Sequence, residues 1–115
     1  MPGLRKLGAE GEDRAAEFLL QHGYSIITRR FAVRGGEIDV VALDGEVLCF
    51  IEVKMRTGGH EEAADAVGDL KAGRIIRAAE EFLARNQETN RAIRFDLVTI
   101  SPDGPRLAKD WFRMG

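Results

Sequence analysis

The stretch GEIDVVALDGEVLCFIEVK, Gly36 to Lys54, is the most apolar part of the chain and predicts a β-hairpin. Its Asp44-Gly45 pair is one of the strongest signals for a two-residue turn between antiparallel strands. Apolar residues fill both alternating sets of positions, so both faces of the hairpin are expected to be buried. Asp39, Glu52 and Lys54 nevertheless stand near its ends. Buried carboxylates need partners, so these positions are candidates for a functional site.

The segments around the hairpin predict a mixed α/β fold in the order α-β-β-β-α-β, with one further strand at the end. We expect a helix over about 7–21, a strand over 24–31, the hairpin strands 37–43 and 46–54, a second helix in two pieces divided near residue 68 with its second piece over 69–85, a strand over 93–100 and an edge strand over 106–112. Apolar stripes follow both helices, at Ala15, Ala16, Phe18 and Leu19 and at Ala72, Ile75, Ile76, Ala79, Phe82 and Leu83. The helices are therefore the predicted covers of a mixed central sheet.

Length and composition predict one globular domain over residues 1–115. Hydrophobic residues make up 44% of the chain and charged residues 31%, as in folded domains. No apolar run approaches the ~20 residues of a membrane span, and the first residues, MPGLRKLGAEGE, lack the apolar stretch of a signal peptide. The single cysteine, Cys49, lies in an apolar strand and is expected to be a buried, reduced thiol. We therefore expect a cytoplasmic protein without a membrane partner.

The formal net charge of −2 argues against a protein that coats nucleic acid by bulk electrostatics. Basic residues nevertheless cluster, at Arg29, Arg30 and Arg34, at Lys71, Arg74 and Arg77, and at Arg91 and Arg94. These clusters are compatible either with solvated faces or with a local basic surface.

The register of the hairpin decides which side the charged residues occupy. A two-residue loop at Asp44-Gly45 predicts the pairs Leu43 with Glu46, Asp39 with Phe50 and Glu37 with Glu52. Asp39, Glu52 and Lys54 then project from one face, with the β-carbons of the two acids roughly 5–8 Å apart. Two carboxylates at that distance can reach one divalent cation between them.

Two neighbouring carboxylates repel each other unless a proton or a cation compensates their charge. Mg²⁺ suits such a site, because it binds one or two carboxylates and keeps positions for water and phosphate oxygens. Lys54, on the same face, could hold an attacking water or stabilise developing charge on a phosphate. Glu12 lies on the same helix face as Ala15 and Leu19, where it should meet the sheet and need a partner.

Simpler interpretations of the same residues stay open at this point. Glu52 and Lys54 could form an ordinary ion pair at a strand end. Glu12 could favour the first turns of a helix through the helix dipole. Glu37 could pair with Arg34 or Arg56.

The motifs GEIDVVA, FIEVKMR and RFDLVTI, at Gly36, Phe50 and Arg94, resemble those of the YraN-type family of small uncharacterised proteins. GEDRAAEFL followed by GYSIITRR is similar to the opening helix and first strand of that family, and KAGRIIRAAEEFL to its second helix. The resemblance covers nearly the whole chain. The family is identified as a member of the PD-(D/E)XK nuclease superfamily and is similar to archaeal Holliday junction resolvases.

The resemblance implies a restriction-endonuclease-like fold and Mg²⁺- or Mn²⁺-dependent hydrolysis of phosphodiester bonds, in DNA rather than RNA. It implies that Asp39 and Glu52 bind the metal together with the backbone carbonyl of Val53. Lys54 would be the catalytic lysine, and Glu12 matches the acidic residue on the first helix of resolvase-like members. A non-catalytic nucleic-acid-binding module on the same fold is the alternative.

Nucleic acid would need a basic rim, because the carboxylates of the site repel phosphates. We expect Arg30, Arg34, Arg56 and Lys71 to border the acidic site and hold phosphates. Symmetric cleavage of a four-way junction needs two active sites, which predicts a two-fold homodimer. Its contacts would come from the end of the strand over 93–100 and from Leu107, Trp111 and Phe112, or Trp111 and Phe112 would instead fold back as an edge strand. A nicking enzyme or a flap nuclease could work as a monomer.

Overall fold

In the computed structural model, which describes residues 2–56, 69–87 and 90–113, the elements follow the predicted order. They are α1 (Pro2–Gln21), β1 (Tyr24–Val33), β2 (Gly36–Asp44), β3 (Val47–Met55), α2 (Asp69–Asn86), β4 (Ile93–Ser101) and β5 (Gly104–Phe112). The last strand is present, and α1 begins at Pro2 rather than near residue 7. The predicted first piece of the second helix lies outside the described residues.

The strands form one mixed sheet in the order β1-β2-β3-β4-β5. β3 and β4 are parallel, and every other neighbouring pair is antiparallel. Parallel neighbours need a long crossover, and α2 lies in the connection between β3 and β4. The predicted mixed α/β architecture is confirmed.

Each face of the sheet carries its own apolar core. On the α1 side, Ala15 and Leu19 pack against a set of sheet residues that includes Val40, Cys49 and Ile51. On the α2 side, the buried residues are Ile38, Val41, Leu48, Phe50, Ile75, Ala78, Ala79, Phe82 and Phe95. The even-numbered residues of β3 thus face α2 and its odd-numbered residues face α1, which confirms that the hairpin is buried on both faces. Cys49 is fully buried, as predicted.

The predicted register of the β2–β3 hairpin is wrong by two residues. The observed pairs are Asp44 with Val47, Leu43 with Leu48, Ala42 with Cys49, Val41 with Phe50 and Val40 with Ile51, in place of Leu43 with Glu46, Asp39 with Phe50 and Glu37 with Glu52. The loop is Gly45-Glu46, and Gly45 has a φ of 64°. A glycine at the first loop position provides the positive φ that a type II′ hairpin turn requires.

The error of two residues leaves the faces unchanged, because side chains alternate with a period of two. Asp39 and Glu52 are the residues that follow the last pair of the observed ladder on β2 and β3. The ladder itself ends at Val40 and Ile51. Beyond that pair β2 and β3 separate, and the charged residues of the hairpin lie at this separation.

Neither helix in the described part of the chain combines the length and the apolar composition that a bilayer span requires.

Candidate active site

The candidate site lies where β2 and β3 separate. The backbone N–H of Val53 donates a 2.8 Å hydrogen bond to Oδ2 of Asp39, so a side chain replaces the backbone acceptor of a regular ladder. A cleft of about 400 Å³ opens here, lined by Glu12, Arg30, Ala32, Glu37, Ile38, Asp39, Val53 and Met55. The end of the hairpin ladder thus produces both the cleft and the orientation of Asp39.

Asp39 and Glu52, here called the carboxylate pair, are close enough to share a hydrogen bond. Burial raises the pKa of Asp39 to about 8, with the hydrogen bond to Glu52 and its charge acting in the same direction. Burial also acts to raise the pKa of Glu52, but hydrogen bonds with Asp39 and Lys71 outweigh it and lower that pKa. One proton therefore belongs to the pair at neutral pH, held mainly by Asp39.

Two ammonium groups lie beside the carboxylate pair. Nζ of Lys71, at the start of α2, is 2.6 Å from Oε2 of Glu52, whose side chain is only 12% exposed. Nζ of Lys54 lies 4.7 Å from the ring centroid of Trp111, and its positive charge also lowers the pKa of Glu52. The predicted proximity of Lys54 and Glu52 is therefore present. Direct pairing of Lys71 with Glu52 was not predicted, since only a place at the rim was expected for Lys71.

Glu12 enters the site from α1 and finds its partner on β1. Arg30 Nε donates to both carboxylate oxygens of Glu12, at 3.0 and 2.7 Å, although the Glu12 side chain is only 14% exposed. The charge of Glu12 contributes to the raised pKa of Asp39, which places it within electrostatic reach of the pair. Arg30 has a φ of 54°, a left-handed conformation that costs energy in a residue other than glycine. Glu12 thus has the partner that its burial requires.

The other residues predicted for the rim lie at two strand ends. Arg34 is exposed in the β1–β2 turn, beside Gly36, where the backbone of α2 at Arg74 leaves no room for a β-carbon. Arg56 follows β3, and its backbone N–H donates to the carbonyl of Ile100 at 2.9 Å. Both positions stay predictions as phosphate ligands.

The donor set of the carboxylate pair fits a divalent cation. Because one acid must hold a proton when no cation neutralises the pair, a cation that displaces this proton would find two oxygen ligands already in place. In residues 2–56, 69–87 and 90–113, no three His, Cys, Asp or Glu side chains converge as a metal cage. A cation at this site would have Asp39 and Glu52 as its side-chain ligands among these residues, and Mg²⁺ commonly binds proteins through one or two carboxylates. Val53 contacts the pair through its N–H, and its carbonyl stays a predicted ligand.

Comparison with known proteins agrees with the motifs at this site. The model of "Uncharacterised protein family UPF0102" matches residues 11–100, which include the second half of α1, all of β1 to β3 and α2, and nearly all of β4. A UPF0102 protein of Geobacter metallireducens is 42% identical over 101 residues, covering 87% of this chain and 83% of that protein. A UPF0102 protein of Chlorobaculum parvum is 46% identical over 95 residues, covering 82% and 74%. A UPF0102 protein of Geobacter sulfurreducens is 45% identical over 105 residues, covering 88% and 82%. The chain belongs to the UPF0102 family, the YraN-type family that its motifs resemble.

Proposed function

We propose that this protein is a Mg²⁺- or Mn²⁺-dependent nuclease that hydrolyses phosphodiester bonds of DNA, with branched or junction DNA as its substrate. The observation that carries the proposal is the carboxylate pair, held at the end of a hairpin ladder with the ammonium groups of Lys54 and Lys71 beside it. Two partly buried acids that must share a proton destabilise a fold, so such a pair is expected where chemistry needs it.

Each residue of the site has a distinct part in the proposed reaction. Asp39 and Glu52 would hold the cation, which when bound neutralises the pair and polarises a phosphate oxygen. Nζ of Lys54 would donate hydrogen bonds to the attacking water or to the phosphate oxygen on which charge develops. Val53 would fix the orientation of Asp39 through its N–H. Glu12 would add negative charge near Asp39 and favour occupation of the site by a cation.

Phosphates would reach the acidic site over basic side chains. Lys71 pairs with Glu52 and Arg30 pairs with Glu12, and their side chains are 49% and 52% exposed, which supports a part in phosphate binding. Arg34 and Arg56 would extend this positive charge from the ends of two strands. The observed element order agrees with the restriction-endonuclease-like fold that the resemblance implies. The same resemblance implies DNA as the substrate.

The test is incubation of the metal-free protein with labelled linear, flapped and four-way DNA and with matching RNA, in Mg²⁺, Mn²⁺ or EDTA. Asp39→Asn is the site variant. Asp13→Asn is its control, because Asp13 lies on α1 next to Glu12, is 68% exposed and pairs with Arg29 at 2.8 Å rather than with Glu52. We expect cleavage by the wild type and by Asp13→Asn in the presence of metal, and none by Asp39→Asn.

Three other results would contradict the proposal in different ways. Equal products from the wild type and Asp39→Asn would identify a contaminating nuclease. Salt-dependent DNA binding without cleavage would favour the non-catalytic binding module. The absence of both would remove nucleic acid as the partner.

The homodimer belongs to the same proposal, because symmetric cuts in a four-way junction need two sites. Sedimentation equilibrium at micromolar protein, with and without a four-way junction, tests it. A strict monomer in both conditions would remove the resolvase version and leave cleavage of single strands.

A further inference from the structure

We infer that Trp111, at the end of β5, is a positioning residue for Lys54 in the proposed hydrolysis, on which this inference rests. Trp111 lies beyond residues 11–100, which match the family model, and it is the single tryptophan of the chain. The sequence pattern assigned it only to a dimer contact or an edge strand. The structure places it in that edge strand and against the lysine of the site.

The contact has the geometry of a cation–π interaction. Nζ of Lys54 lies 4.7 Å from the centroid of the Trp111 ring, within the ~6 Å over which the ring attracts an ammonium, and tryptophan is the strongest such partner. Lys54 is half-buried, and its charge is close enough to Glu52 to lower the pKa of that acid. The ring therefore holds the ammonium on the side of the carboxylate pair.

A bulge in β5 is what brings Trp111 to Lys54. Leu97 pairs with Ala108 and Phe95 with Phe112, so a single residue of β4, Asp96, faces three residues of β5. Neighbouring strand residues normally point to opposite faces, but Trp111 and Phe112 both pack against the α2-side core. Bulges near functional sites commonly redirect a side chain in this way.

The bulge depends on a strained residue that is held by a buried acid. Asp110 has a φ of 58°, and its N–H donates to Oδ1 of Asp96 at 2.9 Å. Asp96 is fully buried and also accepts hydrogen bonds from Arg94 and from the hydroxyl of Tyr24. Left-handed conformations in residues other than glycine persist only where the surrounding structure enforces them. The polar network thus fixes the backbone that carries Trp111.

The position of Phe112 argues against a purely structural role for Trp111. Phe112 already covers the end of the core, since it stacks on Phe95 with ring centroids 4.6 Å apart. Trp111 meets Phe112 edge-on at 5.4 Å, which leaves its ring face for the ammonium of Lys54. A lysine on a flexible four-carbon stem gains a defined position from such a platform. Loss of the ring would therefore reduce the fraction of molecules in which Nζ is correctly placed.

The kinetic test compares Trp111→Phe and Trp111→Leu with the wild type on the DNA substrate that the wild type cleaves. We expect Trp111→Leu to lower kcat about tenfold, because the ring that positions Lys54 is removed. KM should stay within about twofold, because Trp111 is not proposed to bind phosphate. Trp111→Phe keeps a ring and should recover kcat to within about threefold of the wild type. In the background of Lys54→Met, Trp111→Leu should cause no further loss. An unchanged kcat in folded Trp111→Leu, or a further loss in the Lys54→Met background, would overturn the inference.

A second readout needs no activity and separates this inference from the proposed nuclease function. Because Trp111 is the single tryptophan, all tryptophan fluorescence of the protein comes from the ring that contacts Lys54. Lys54→Met should change the emission intensity of Trp111 by about a quarter or more, because an ammonium over the indole is removed. Lys109→Met, whose Nζ lies 5.7 Å from the ring of Tyr24 instead, should leave it unchanged. Identical emission from the wild type and Lys54→Met would overturn the contact, whereas a wild type that cleaves nothing but shows the expected emission change would overturn only the nuclease proposal.

Discussion

The backbone N–H of Val53 and the carboxylate of Asp39 are joined by a 2.8 Å hydrogen bond across two strands whose ladder ends before either residue. A backbone donor that has lost its ladder partner would be costly if it were left unpaired. Here a side chain accepts it, and the same hydrogen bond turns Asp39 towards Glu52. The separation of the strands and the formation of the carboxylate pair are thus one structural event.

The first prediction concerns Asp39→Asn in the metal-free protein. Burial raises the pKa of Asp39 to about 8 in the folded protein, so the folded protein keeps a proton that the same carboxyl in the unfolded chain loses near pH 4. The folded state binds more protons within this window, and the free energy of unfolding of the wild type should fall as pH rises from about 4 to about 8. Asparagine keeps the acceptor for Val53 and cannot ionise. We expect Asp39→Asn to be more stable than the wild type by about 1–2 kcal/mol at pH 9, with little difference at pH 4.

Urea denaturation in EDTA, repeated from pH 4 to pH 9, measures this difference. Asp13→Asn is the control, since replacement of this exposed carboxylate should change the free energy of unfolding by less than about 1 kcal/mol. A wild-type stability that does not fall between pH 5 and pH 9 would contradict the shared proton. Mg²⁺ at the proposed site should restore part of the lost stability at pH 8, because a ligand that binds only the folded state stabilises it.

Strand alternation and turn signals predicted every element of the described chain, and they placed Asp39, Glu52 and Lys54 near one another. That placement survived a wrong register because the error was two residues, which restores each side chain to its face. The position of the turn was less predictable. Gly45 could occupy either the first or the second loop position, and both choices satisfy a known hairpin turn.

Contacts between elements distant in sequence were not predictable from local patterns. Lys71 reaches Glu52 only because of the way α2 crosses the sheet, and Arg30 meets Glu12 only because α1 lies over β1. The bulge that places Trp111 gave one weak signal, Asp110, since aspartate adopts positive φ more readily than most residues. The sequence of β5 alone does not show that the buried Asp96 of β4 holds Asp110 in this conformation.

The second prediction concerns the buried polar network that supports β5. Asp96 accepts hydrogen bonds from Arg94, from Tyr24 and from the N–H of Asp110, all at 2.8 to 2.9 Å. Asp96→Ala leaves a largely buried guanidinium without this partner, so we expect a loss of about 3–5 kcal/mol in the free energy of unfolding. Tyr24→Phe removes one hydrogen bond and should cost about 1 kcal/mol.

Guanidinium denaturation followed by Trp111 fluorescence measures both losses. Asp103→Ala, an exposed acid in the β4–β5 turn, is the control and should change stability by less than about 0.5 kcal/mol. If Asp96→Ala and Tyr24→Phe were equally stable, the buried position of the Arg94 side chain would not depend on its ion pair with Asp96.

The third prediction concerns the reactivity of Cys49. Burial raises the pKa of its thiol to about 12, and the side chain is inaccessible in the folded protein. Only the thiolate attacks a disulfide reagent, so labelling at pH 8 should be slower than that of a free thiol by a factor of about 1,000 or more. Stopped-flow and manual mixing with an aromatic disulfide reagent measure the rate. Addition of denaturant should restore rapid labelling, and labelling as fast in its absence would show that the α1-side core opens readily.

The last prediction concerns Lys71, whose ammonium and the proposed cation compete for the same carboxylate. Nζ of Lys71 is 2.6 Å from Oε2 of Glu52 while its side chain is 49% exposed, so it can also reach a phosphate. Lys71→Met should therefore strengthen Mn²⁺ binding in the absence of DNA by about threefold to tenfold, because the competing positive charge is removed. The same variant should bind DNA more weakly, and the slope of log K against log salt should fall by about one.

Opposite signs in the two affinities are what distinguish this competition from simple damage to the fold. Titration calorimetry with Mn²⁺ and fluorescence anisotropy with labelled DNA in EDTA measure the two affinities separately. Lys109→Met is a matched control, since Lys109 is 50% exposed and pairs with Asp44 at 3.0 Å, and it should leave Mn²⁺ binding unchanged. If Lys71→Met weakened both affinities, Lys71 would instead orient Glu52 for the metal, and the metal-free ion pair would be part of the active arrangement rather than a competitor of the cation.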